Sequence, residues 1–154
     1  MNDTSDNPLP PEWQPALTHS HYLRQLLQAR PEIIAWLHGH AERPLDGELM
    51  REFLQAAAPP DDVSLKRALR QLRQRIMAAL MVRDIGGQAT LAEVVESMTQ
   101  LADVSTNFAL DFLHRRLAAQ FGEPLDSQGQ PQRLLVIGMG KLGGRELNVS
   151  SDVD

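Results

Sequence analysis

Leu65-Lys-Arg-Ala-Leu69-Arg-Gln-Leu72-Arg-Gln-Arg-Ile76-Met-Ala-Ala-Leu80 places apolar residues at steps of four, three, four and four. That recurrence follows one side of an α-helix and not the two-residue alternation of a half-buried strand. A helix is predicted from Asp61 to about Arg83, roughly 35 Å long at about 1.5 Å per residue. Asp61 and Asp62 sit where a side-chain cap or a negative charge favours a helix start. Gly86-Gly87 ends it.

Downstream, Thr90-Leu-Ala-Glu93 has the form of a capping box. An apolar stripe then resumes at Leu91, Val94, Val95, Met98, Leu101, Phe108, Phe112 and Leu117, reaching Phe121 before Gly122 and Pro124. Two long helices joined by a glycine turn are expected to lie antiparallel. Upstream, Leu45 to Ala58 reads as a weaker helix ended by Pro59-Pro60. From about His19, two short helical patterns carry Leu23, Leu26 and Leu27, then Ile33, Ile34 and Leu37, with Pro31 in a tolerated first turn and Gly39 and Pro44 as breaks. These should pack across the long pair as a bundle. Residues 1–15, with Pro8, Pro10, Pro11 and Pro15, read as a flexible lead-in.

The composition narrows the class. With 42% hydrophobic but only 5% aromatic residues, the core must be built from Leu, Ala, Val, Ile and Met. A net charge of −5 argues against general affinity for nucleic acid or anionic membrane. No cysteine is present, so disulfides and thiolate metal sites are excluded. The N-terminal residues lack a signal-peptide pattern, and the longest apolar run, Ile76 to Val82, falls short of the ~20 residues of a membrane span. A soluble, cytoplasmic protein is expected. Lys66, Arg67, Arg70, Arg73 and Arg75 are read as a solvated helix face. The His19/His21 and His38/His40 pairs are not read as metal ligands, because residues two apart on a helix point different ways.

The chemistry-bearing stretch is at the other end. Gly122 to Gln132 changes composition and is taken as a linker between a helical domain, 16–121, and a different unit, 133–154. Arg133 to Gly138 reads as a short strand, and Val149 to Asp154 as the start of a second. Gly138-Met-Gly140-Lys-Leu-Gly143 satisfies the G-x-G-x-x-G dinucleotide fingerprint. Asn148, Ser150 and Ser151 soon interrupt the helix that fingerprint requires. Asp152 and Asp154, on one face of a strand with Cα atoms about 6–7 Å apart, suit hard divalent cations. The glycine turn can offer backbone N–H groups to phosphate, and Lys141 a point charge. One strand and the start of another cannot stand as a sheet, so further residues are expected after Asp154.

Gly-Met-Gly-Lys-Leu-Gly-Gly-Arg-Glu-Leu-Asn at 138–148, followed by Ser-Ser-Asp-Val-Asp at 150–154, closely resembles the bacterial glutamine synthetase adenylyltransferase/adenylyl-removing enzymes. These belong to the DNA-polymerase-beta-like nucleotidyltransferases, whose signature is a glycine turn, about ten residues, and Asp-x-Asp. Lys141 stands where the wider superfamily usually has serine. The resemblance implies a mainly α chain: a helical bundle followed by the opening of an α/β nucleotidyltransferase domain. It implies catalytic and Mg²⁺-ligating roles for Asp152 and Asp154, and nucleotide or phosphate contacts at Gly138, Gly140, Lys141, Gly143, Gly144 and Ser151. ATP, ADP and phosphate are the implied substrates or products. Glutamine synthetase is the implied partner, with a PII-type signalling protein acting through the whole enzyme. A motif this early matches the half that removes AMP from a tyrosine of glutamine synthetase by phosphorolysis. A third carboxylate is expected beyond Asp154. Two competing readings are a nicotinamide-dependent oxidoreductase, built on Gly138, Gly140 and Gly143, and a non-catalytic helical interaction module.

Overall fold

Helices account for the regular structure in the computed structural model, which describes residues 9–151. After a 3₁₀ turn at Pro11–Trp13 come α1 (Gln14–His19), α2 (His21–Ala29), α3 (Glu32–His40), α4 (Gly47–Ala57), α5 (Asp62–Ile85), α6 (Leu91–Phe121) and the single turn α7 (Gly140–Gly143). The chain is mainly α, and no β-strand occurs among the described residues.

The central element is α5. The Asp61 carboxylate accepts the Ser64 N–H at 2.7 Å, which caps its first turn. Leu65, Leu72, Ile76 and Leu80 are buried as the spacing requires, and Leu69 is half-buried. From Ile76 to Leu80 every residue is buried, because α1, α2, α3, α4 and α6 all pack against this helix. Ala78 and Ala79 keep that part of the helix thin enough to be surrounded. Leu72 is fully enclosed, so Leu72→Ala should cost about 2–5 kcal/mol through lost transfer energy and a residual cavity. A urea titration measures it; a change below about 1 kcal/mol would mean the site is not packed in this way.

Ion pairs fix the orientation of α5 and α6. Arg83 meets Glu93 beside the connecting turn, and Arg116 meets Asp62 at the far end. The two helices are therefore antiparallel along their length. The capping box is half made. Thr90 Oγ1 accepts the Glu93 N–H at 3.2 Å, but the Glu93 carboxylate bonds Arg83 at 2.7 Å instead of returning to the cap. A buried cation outcompetes a solvated backbone amide for that carboxylate.

Between the short helices and the long pair, α4 is the bridge. The Asp46 carboxylate caps it by accepting the Leu49 N–H at 2.9 Å, and it packs on both α5 and α6. Where the chain enters α4, the Ser97 hydroxyl donates to the Leu45 carbonyl at 2.8 Å. Pro59-Pro60 follows Ala58, which takes a left-handed conformation with φ 38°.

Two expectations for the N-terminal third are corrected. Residues 11–15 are not a lead-in: Trp13 and Ala16 are buried in the common core, and Pro11 and Pro15 occupy first-turn positions. Proline is accommodated there because its missing N–H has no intrahelical acceptor to lose. Gly39 does not break α3, which runs through it to His40. A single glycine costs too little to stop a helix whose Ile33 and Leu37 are anchored in the core.

Candidate functional site

Residues beyond α6 form an arm laid back along that helix. Gly122 has a positive φ of 89° and turns the chain out. The Asp126 carboxylate then closes a loop by accepting the N–H groups of Gln128 at 2.8 Å and Gln130 at 2.9 Å. Arg133 pairs with Asp111. Arg145 reaches Glu96 with two nitrogens, at 2.5 and 3.3 Å, and Asp103 at 3.4 Å. From Asp111 back to Glu96 is about 22 Å of helix. Leu147, 2% exposed, seats the arm in the core, and Leu142 and Val149 pack partly against it.

The expected strand at Arg133 to Gly138 does not form. Among the described residues it has no ladder partner, and Leu135 and Ile137 are 83% and 81% exposed. Its β-type composition is real, but an extended segment becomes a strand only when another pairs with it. Apolar side chains on both of its faces require cover on both sides. The start of an α/β domain is thus absent as regular structure in this region. Of the second expected strand, Val149 to Ser151 forms a turn and its end; the remainder lies outside the described residues.

The glycine turn has a defined geometry. A Cβ on Gly143 would lie 2.5 Å from the Gly138 carbonyl oxygen, and one on Gly138 would lie 2.9 Å from Leu142 Cγ. Gly140 has a positive φ of 54°. Gly143 is thus required by a close backbone approach, a side chain at Gly138 would displace Leu142, and Gly140 takes a left-handed bend that glycine adopts without strain. Gly144 terminates α7. The N–H groups of Arg145 and Glu146 return to the Leu142 and Lys141 carbonyls at 3.1 and 2.7 Å. That is a Schellman ending, with Arg145 in the left-handed position at φ 56°. At the other end, Gly140, Lys141 and Leu142 have no intrahelical acceptor, and no side chain caps them. Lys141 is exposed beside them.

Ser151 has a different setting. Its hydroxyl bonds the Asn148 carboxamide at 3.0 Å, and the Ser150 N–H and hydroxyl reach the same oxygen at 3.0 and 3.1 Å. Asn148 thus folds the turn immediately before Asp152. Sequence reasoning took Asn148 only as a helix interrupter and part of the motif, although Asn-Val-Ser-Ser has the residue types of a side-chain-organised turn. Arg145 was also missed, since a lone arginine carries no signal of its partner. Asp152 and Asp154, the expected catalytic and Mg²⁺-ligating pair, lie outside the described residues. Among those described, no group of three or more His, Cys, Asp or Glu is gathered to hold a metal ion. None of the described helices is long and apolar enough to cross a membrane.

The arm's anchor is expected to respond to pH. Arg145, hydrogen-bonded to Glu96, holds that carboxyl below the usual glutamate range, with Gln100 adding to the effect. A carboxyl depressed on folding stabilises above its unfolded pKa, and that contribution is lost as pH falls through the folded value. Protection of the Arg145 to Leu147 amides, measured against their intrinsic exchange rates at each pH, should therefore fall on acidification below the ordinary glutamate range. Glu96→Gln should remove that response; an unchanged acid profile would show that the pair does not hold the arm.

The nicotinamide reading loses its structural requirement here. α7 begins at the second glycine of the fingerprint and ends at the third, so no long helix follows to carry a dinucleotide pyrophosphate. Comparison with known proteins points elsewhere. Residues 12–154 match the glutamate-ammonia ligase adenylyltransferase family, so the likeness extends through the helical body and not only the glycine motif. The chain is 46% identical over 148 residues to the bifunctional glutamine synthetase adenylyltransferase/adenylyl-removing enzyme of Aromatoleum aromaticum, covering 96% of this chain and 16% of that one. The corresponding protein of Bordetella pertussis is 42% identical over 151 residues, covering 94% and 16%. That of Nitrosomonas europaea is 45% identical over 143 residues, covering 90% and 15%. These relatives carry the name of a nucleotidyl-transferring enzyme. The chain belongs to the glutamate-ammonia ligase adenylyltransferase family, and it spans about one sixth of the length of the relatives it matches.

Proposed function

We propose that this chain supplies the helical support and the phosphate-facing turn of a nucleotidyltransferase centre acting on a tyrosine of glutamine synthetase. In this reading residues 16–121 are the helical domain, 122–132 the linker and 133–154 the opening of the transferase domain. The observation that carries it is the turn at Gly138–Gly144, where a Cβ on Gly143 would meet the Gly138 carbonyl and the first amides of α7 have no intrahelical acceptor and no side-chain cap. Backbone N–H groups so placed bind anionic oxygen without side-chain bulk. Lys141 adds a cation, and the Asn148 turn carries the chain directly into Asp152 and Asp154.

Two carboxylates separated by one residue are a donor set suited to Mg²⁺. Asp152 and Asp154 would hold it, with further ligands from outside these residues. When bound, it would neutralise charge on the transferring phosphoryl group. The reaction assigned to this half is phosphorolysis: inorganic phosphate displaces the tyrosine oxygen from the adenylyl phosphorus, giving ADP and free tyrosine. ATP is the donor for the reverse modification in the whole enzyme. Glutamine synthetase is the macromolecular partner, a PII-type protein the regulatory one, and the cytoplasm the compartment.

The test is a chimera in which this chain replaces the matching segment of the Aromatoleum relative. Incubated with adenylylated glutamine synthetase, Mg²⁺ and phosphate, it should lower the substrate subunit's mass by one adenylyl group and release ADP. Binding without any phosphate-dependent release would instead support the interaction-module reading.

A further inference from the structure

A groove of about 730 Å³ runs between α5, α6 and the arm, and among the described residues its charged lining comes from Arg70 and Arg73. We propose that Arg70 and Arg73 form the basic wall of a nucleotide subsite in this groove, taking the phosphates of a nucleoside diphosphate whose base lies on the apolar floor. This deepens the function proposed above and rests on that reading for the identity of the ligand.

The two arginines are three residues apart on α5 and so share one edge of the helix. Both are exposed, and among the described residues neither guanidinium has a hydrogen-bond or ion-pair partner, unlike Arg83, Arg116, Arg133 and Arg145. In a chain of net charge −5, two neighbouring guanidiniums on one groove wall attract anions locally against the overall field. Guanidinium forks match phosphate oxygens in pairs. Ser105 and Thr106 of α6 also line the groove, with Leu101 and Leu147 among its apolar residues. The volume lies within the range of small-ligand pockets, which combine an apolar lining with a few convergent polar groups.

The position of the groove favours a nucleotide over a free-standing anion site. Ser151 lines it, and the next residue is Asp152. On this account the helical body is part of the site: α5 holds the diphosphate from one side and the arm approaches it from the other.

The test titrates ADP into the 154-residue chain without divalent cation, followed by calorimetry and amide chemical shifts. Saturable binding is expected, with shifts at Leu69 to Arg73 and Ala102 to Thr106. The double variant Arg70→Ala/Arg73→Ala should weaken binding by about tenfold or more, with an unchanged helical signal on melting. Pyrophosphate should bind more weakly than ADP, because it leaves the floor uncovered. No saturable binding, or equal affinity in the double variant, overturns the proposal. Pyrophosphate binding as tightly as ADP overturns the nucleotide assignment. If Lys141→Ala abolishes binding while the arginine variant does not, the groove proposal falls and the proposed function stands. If the arginines govern ADP affinity but the chimera removes no AMP, the function fails and the subsite stands.

Discussion

Replacing Arg83 by methionine should remove about 3 kcal/mol of stability, the lower end of the range for breaking a buried charge pair, because the Glu93 side chain is 19% exposed. The side chain is 4% exposed. Its Nε donates to Glu93 at 2.7 Å, Nη1 to the Ala41 carbonyl at 3.0 Å, and Nη2 to Glu93 at 3.2 Å and the Gln88 carbonyl at 3.3 Å. One guanidinium thus ties the end of α5 to the start of α6, the turn between them and the end of α3. Methionine fills much of the volume but leaves a carboxylate and two carbonyls without their donor. Against a typical total of 5–15 kcal/mol, that loss is at least about a fifth of the fold's stability. Urea denaturation followed by circular dichroism measures it. The double variant Arg83→Met/Glu93→Leu should recover part of the loss, since replacing both partners of a buried pair is often neutral. A single-variant loss under about 1 kcal/mol would show that the knot is solvated.

The largest functional effect should come from Asp152→Asn. Carried in the chimera with the Aromatoleum relative, this substitution should lower phosphate-dependent AMP removal by about a thousandfold, the scale on which loss of a main electrostatic stabiliser is felt. The exchange nearly preserves volume and removes a negative charge, so the melting of the helical body should not move. Asp154→Asn should behave in the same way. Arg145 gives a useful contrast: its replacement should loosen the arm and reduce activity less severely, because it acts by seating Leu147 and the turn on α6. If Asp152→Asn retained most of the activity, the carboxylate pair would have to be removed from the chemistry.

The helical part was legible because its signals are local. Leu65, Leu72, Ile76 and Leu80 repeat at helical spacing on one stripe. Asp61, Asp46 and Thr90 are capping types at three helix starts, and Gly86-Gly87 and Pro59-Pro60 mark two ends. Where local signals competed with tertiary ones, the local reading failed. Pro11 and Pro15 suggested a loose lead-in, yet burial of Trp13 and Ala16 draws that segment into the core. Glu93 looked like a capping-box partner until Arg83, ten positions away in sequence, claimed its carboxylate. The run Leu134 to Ile137 shows the limit most clearly. Its composition is that of a buried strand, but pairing is a property of two segments, and among the described residues none pairs with it. In the site, the glycine positions were readable from their spacing, whereas Arg145 and Asn148 were not. Their importance lies in contacts with Glu96 and Ser151 that only the folded path of the arm creates.

The central claim is that the glycine turn and the acid pair together form one cation-and-phosphate cradle. Mn²⁺ titration of the 154-residue chain, read as paramagnetic broadening of amide signals, tests it directly. The account predicts broadening concentrated in Gly140 to Ser151 and lost in Asp152→Asn/Asp154→Asn. Broadening centred elsewhere, or unchanged in that double variant, would contradict it.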